Sequence, residues 1–143
     1  MATEFNVDLL MKSLENEDND CLMNLDTKTI QKIKNDMLQK LNLPKDKLKS
    51  FHKSLKQYRF IDEIPDIKYG AYVRWINLNN PDNLNLTNGG LVCDIKISND
   101  DVIIVCKNSF NRFFQLKLNE CLVFQKITDQ EKVLLSALDY LNQ

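Results

Sequence analysis

A chain of 143 residues with 43% hydrophobic content is the size that closes around a single core. Its charges, 27% of the residues, cancel to a net of −1, which excludes both a disordered tail and a nucleic-acid condenser and leaves bulk charge silent about partners. The N-terminus carries Glu4 and no basic stretch ahead of an apolar run, Ala2 stands where myristoylation needs glycine, and no apolar run is long enough for a membrane span. A soluble, intracellular protein with no membrane contact is expected.

The first sixty or so residues follow a helical period. Val7, Leu10, Met11 and Leu14 share one face of an opening helix that Thr3 can cap, and the acidic, Asn-rich stretch from Glu15 to Asp20 ends it as a loop. A second helix should begin after Asp26 or Thr27, either of which can cap it, and present Ile30, Ile33, Met37 and Leu41. Pro44 stops it and starts a third, in which Leu48, Phe51, Leu55 and Tyr58 repeat the spacing. The two amphipathic helices are expected to form a hairpin.

From Ile67 the period falls to two, with β-branched and aromatic residues, and five strands are predicted: Tyr69 to Leu78, Leu91 to Ser98, Val102 to Lys107, Phe113 to Leu118 and Cys121 to Ile127. The connections Ser98-Asn99-Asp100-Asp101 and Leu118-Asn119-Glu120 are short enough to read as antiparallel hairpins. A longer loop, Asn79 to Gly90, ends in Asn88-Gly89-Gly90, where a positive φ is easily reached. Thr128-Asp129-Gln130-Glu131 is a capping box, and Val133, Leu134, Ala137, Leu138 and Leu141 follow it on one apolar face. The fold expected is α+β: N-terminal helices over residues 1–60, then over 61–143 a five-stranded antiparallel SH3-like small β-barrel with a C-terminal capping helix, all in one compact unit.

No nucleophile elbow, phosphate loop, dinucleotide fingerprint or H-E-x-x-H pattern is present, and the acidic neighbours Asp62-Glu63 and Asp100-Asp101 belong to solvated turns. Neither catalytic residues nor a small-molecule substrate is predicted. Cys21, Cys93, Cys106 and Cys121 are widely spaced and His52 is the one histidine, so buried free thiols are expected and neither a metal nor another cofactor. The sequon Asn85-Leu86-Thr87 lacks a secretion signal to make it meaningful.

Charge distribution says more than charge sum. Residues 1–27 carry a net of −6 and residues 28–59 a net of +8, the latter concentrated in lysines. Lys45, Lys47, Lys49, Lys53, Lys56 and Arg59 form a candidate phosphate-binding or partner-binding face, against which stands the plainer reading of a solvated face neutralised by the acidic segment. On the first predicted strand, Tyr72, Arg74 and Ile76 alternate with Val73 and Trp75, so that Tyr72 and Arg74 are candidate contacts, as are Phe110 and Arg112 beside a later turn. The competing reading puts the aromatics in the core.

The run Tyr58-Arg59-Phe60-Ile61-Asp62-Glu63-Ile64-Pro65-Asp66-Ile67-Lys68-Tyr69-Gly70-Ala71-Tyr72-Val73-Arg74-Trp75-Ile76, with Cys106-Lys107-Asn108 and Phe124-Gln125-Lys126-Ile127, resembles small proteins of nucleocytoplasmic large DNA viruses, the mimivirus-like ones in particular. The resemblance covers about residues 55 to 141 and implies a virion or replication-site component in host cytoplasm; it brings no site residue with it. The function expected is a non-enzymatic binding or assembly module acting through protein contacts, with self-association as a dimer favoured. The alternative is a nucleic-acid-binding module using the lysine-rich helices and the strand around Arg74.

Overall fold

The computed structural model describes residues 26–141 together with Met11 and Lys12. The opening helix, apart from those two residues, and the acidic loop after it lie outside the described residues, as does Cys21. Three helices, α1 (Thr27–Gln39), α2 (Lys45–Ser54) and α3 (Asp129–Leu141), accompany six strands: β1 (Tyr58–Ile61), β2 (Tyr72–Asn77), β3 (Gly90–Ser98), β4 (Asp101–Lys107), β5 (Phe113–Lys117) and β6 (Cys121–Lys126). None of the described helices is long and apolar enough to cross a membrane.

The strands form one antiparallel sheet in the order β1-β6-β2-β3-β4-β5. The sheet is not closed into a barrel, so the five-stranded closed architecture does not hold. Tyr58 is one reason: it continues the helical spacing of Leu55, yet α2 ends at Ser54 and Tyr-Arg-Phe-Ile alternates instead as an added strand beside β6. The segment Leu118-Asn119-Glu120 is a second reason. It is a 3₁₀ turn that carries the chain from the edge strand β5 into the middle of the sheet, not a hairpin between neighbours. The turn at Asn99-Asp100 is a hairpin, with both residues at positive φ (50° and 66°), which matches the twist of β3 and β4.

Hydrophobic side chains collect on both faces. One core is supplied mainly by the curled sheet: Ile61, Val73, Trp75, Val92, Ile104, Cys106, Leu116, Cys121 and Val123, with Ile67 from the connection before β2. The second joins Ile76, Leu122 and Phe124 to Leu38 of α1 and to Phe51 and Leu55 of α2 and its C-cap, and Phe60 meets Phe124 edge-on at 5.8 Å. Asp26 caps α1 by accepting from the Thr29 N–H at 2.7 Å. The buried stripe of that helix is Ile30, Lys34 and Leu38, one step round from the apolar positions, so Ile33 is partly exposed. Lys34 lies inside because its ammonium donates to the Leu55 and Tyr58 carbonyls at 2.9 and 3.0 Å, and burial lowers its pKa below the ordinary lysine value.

A second internal charge cluster ties α3 to the sheet. The capping box forms as expected, Thr128 N–H donating to Glu131 Oε1 at 2.9 Å and Glu131 N–H to Thr128 Oγ1 at 3.1 Å. The other carboxylate oxygen of Glu131 stands 3.4 Å from both Arg59 Nε and Lys68 Nζ, with the Glu131 side chain wholly shielded from solvent. Beside it the buried Gln125 carboxamide accepts from the Lys68 N–H at 2.9 Å and donates to the Asp66 carbonyl at 3.0 Å, fixing the link between β1 and β2. At its far end α3 meets α1, where Asp139 accepts from the Thr27 N–H and hydroxyl. Glu131→Gln keeps the cap but removes the counter-charge from buried Arg59, and should cost about 3 kcal/mol in urea unfolding, against about 1 kcal/mol for Thr128→Ala.

Candidate binding site

The loop before β3 is held against β2 by a series of hydrogen bonds. Tyr72 Oη donates to the Asn88 carbonyl at 2.7 Å, Arg74 Nε to the Thr87 carbonyl at 2.8 Å, and the Trp75 N–H to Thr87 Oγ1 at 3.2 Å. Gly89 then passes so close to β2 that a Cβ there would fall 2.2 Å from the Val73 carbonyl, and its φ of +86° is one that glycine alone adopts freely. Facing this loop is the β4–β5 turn. Asn108 Oδ1 accepts from the Phe110 and Arg112 N–H groups, both at 2.9 Å, and Asn111 takes a φ of 62°, so that Phe110 stands at the tip, 80% exposed.

Between the loop and the turn lies a hollow of about 340 Å³, lined by four aromatic rings, Tyr72, Trp75, Phe110 and Phe114, and by short polar residues of the two connections. Trp75 belongs to the sheet core and forms the buried side; Phe114, on β5, is partly exposed. Trp75 also borders a second hollow of about 260 Å³ with Gln115, Leu116, Lys117 and Glu120. There the Lys117 ammonium lies 3.6 Å from Asp101 and 3.9 Å from Glu120, so this end is polar where the first is aromatic.

The residues singled out from the sequence separate into groups. Tyr72 and Phe110 come together in the aromatic hollow, and Arg112 is exposed on the same turn. Arg74 is half-buried and braces the loop. Lys45, Lys49 and Lys53 on α2 and Lys56 just after it are exposed, Lys47 lies 5.9 Å over the Phe51 ring, and none of them lines the hollow. Arg59 is not a surface residue at all: 3% exposed, it belongs to the cluster around Glu131. Phe114, Thr87 and Asn108 were not foreseen. A pair of asparagines bracketing an aromatic, Asn108-Ser109-Phe110-Asn111, was the available signal for an exposed ring.

Reactive chemistry is scarce in the hollow, whose lining includes neither histidine nor a charged side chain. No group of three potential metal ligands occurs among the described residues. His52, on α2, is pulled below its ordinary pKa by burial and then by the Lys34 charge. Cys93 is exposed, against the expectation of a buried thiol, because it follows the inward-facing Val92 on β3 and alternation points it outward, at the position where the pairing with β4 slips. Cys106 and Cys121 are buried, and burial pushes their pKa up to about 12 and about 11, with smaller contributions from Cys93 and Glu120 respectively. No family model, no curated protein and no solved structure matches this chain.

Both buried thiols stay protonated in the fold where the unfolded chain begins to ionise, near the ordinary value of 9.0. Their contribution to stability is therefore complete below pH 9.0 and is lost as pH rises toward 11 and 12. Urea midpoints followed from neutral pH upward should fall on the alkaline side, and the Cys106→Ala and Cys121→Ala double variant, less stable throughout, should show a shallower fall.

Proposed function

We propose that this domain is a non-enzymatic binding module for other proteins and that the aromatic hollow is its contact site. The observation that carries this reading is the convergence of Tyr72, Trp75, Phe110 and Phe114 on one concavity between two braced connections. Aromatic rings held in place deliver a large contact area at little entropic cost, and a shielded ring beside an exposed one is the usual composition of an energetic centre at an interface. The absence of an acid–base pair or nucleophile in the lining favours binding over catalysis.

Nucleic-acid binding is the second reading, favoured by the exposed lysines on and just after α2, which have no carboxylate partner among the described residues. The two readings use separate surfaces and differ in salt dependence, because phosphate contacts release counterions and apolar contacts do not. Partners retained on the immobilised chain should survive high salt, be lost with Phe110→Ala and Phe114→Ala, and persist with Lys49, Lys53 and Lys56 changed to Glu. Single- and double-stranded DNA and RNA titrated against the same three proteins give the converse pattern if the lysines are the site: binding that falls steeply with salt and disappears in the triple variant.

A further inference from the structure

The two edges of the open sheet differ. In β1 the Ile127 N–H donates to the Gln57 carbonyl, and the alternation of an antiparallel pair therefore turns the backbone groups of Tyr58 and Phe60 away from β6. That edge is occupied: α1 lies against β1, and Lys34 takes the outward Tyr58 carbonyl. At the other end, the Asn108 N–H donates to the Arg112 carbonyl in the same register that pairs Lys107 with Phe113 and Val105 with Gln115. Phe113, Gln115 and Lys117 then direct their N–H and C=O groups away from β4, where the sheet has no further strand among the described residues. β5 holds no proline, and both hollows with Trp75 between them run along it.

We infer that β5 receives an extended segment of another polypeptide as an added strand. The inference rests on the reading of the hollow as a protein-binding site. About five residues, roughly 16 Å of extended chain, would match the length of β5. Alternate side chains of the segment point toward the sheet, so an aromatic or branched apolar residue enters the hollow of Tyr72, Trp75, Phe110 and Phe114. The surroundings specify charge as well. Lys107, whose ammonium lies 5.8 Å over the Phe113 ring, and Arg112 flank this end; neither pairs with a carboxylate among the described residues, and none lines the hollow. The segment accordingly carries an acidic residue next to its apolar anchor, while the Lys117, Asp101 and Glu120 end, already neutralised, accepts polar residues.

Selection of random dodecapeptides displayed on phage against the full chain, with the enriched peptides measured by fluorescence anisotropy, tests this. Enrichment of alternating apolar sequences containing Asp or Glu is expected. Gln115→Pro removes one outward N–H at a position where an edge strand tolerates proline, and should weaken those peptides about tenfold without loss of the circular dichroism of the fold. Lys107→Glu with Arg112→Glu, which leaves the β5 backbone untouched, should weaken them by a similar factor. Peptides that lose binding to Phe114→Ala but bind Gln115→Pro as tightly as the unmodified chain would overturn strand addition while leaving the hollow as a binding site. No enrichment at all would overturn both. Displacement of the peptides by oligouridine would overturn the inference in favour of a single-stranded nucleic acid, and a sedimenting dimer that Gln115→Pro dissociates would overturn it by making a second copy the occupant.

Discussion

Every strand at the end of an open sheet presents donors and acceptors that must find a partner or face water. Six strands in the order β1-β6-β2-β3-β4-β5 leave two such ends, and much of this molecule follows from how each is treated. At β1 a helix covers the strand and a lysine is drawn into the interior to take a carbonyl. The same ammonium takes the carbonyl of Leu55, the C-cap of α2, so one buried charge serves a strand edge and a helix end together. At β5 no described helix packs to a comparable extent, and Phe113 and Phe114 remain exposed on it.

Among the described residues the interior charges are otherwise confined to one place. Glu131 starts α3, neutralises Arg59 on β1 and reaches Lys68 just before β2, so three segments distant in sequence are referred to a single carboxylate. Such a cluster adds little net stability over a well-packed apolar equivalent, but removal of one member is costly because the others stay behind without it. Its effect is on arrangement: with Gln125 holding the Asp66 carbonyl and the Lys68 N–H, it fixes the path from β1 to β2 across the top of β6.

Local chemistry was readable in the sequence where it is self-contained. The capping box at Thr128 and Glu131, the Asp26 cap, the Asn99-Asp100 turn and the positive φ at Gly89 all depend on residues within a few positions of one another. Elements set by distant partners were not readable. Lys34 reads as a surface lysine until the carbonyls of Leu55 and Tyr58 are brought to it, and Arg59 reads as part of a basic face until Glu131 arrives from the other end of the chain. Tyr58 continues a helical spacing and becomes a strand residue because β6 offers it a ladder, which no local window contains. Of the site, the alternation on β2 and the turn at Phe110 pointed to Tyr72 and Phe110, whereas their meeting required the curl of the sheet.

The β5 edge, which no other described strand pairs, also bears on how the protein behaves when crowded with itself. Phe113 and Phe114 follow one another on that strand, 65% and 43% exposed, next to backbone groups that no other described strand takes up, and neither proline nor a bulge interrupts them. This is the combination from which sheet-to-sheet aggregation grows. Lys107 on the neighbouring strand, over the Phe113 ring, and Arg112 just before β5 are the local charges that guard it, and with a net charge of only −1 the chain has little general repulsion to add to them. Resistance to sheet-to-sheet association through this strand thus rests on a few side chains beside it more than on overall charge.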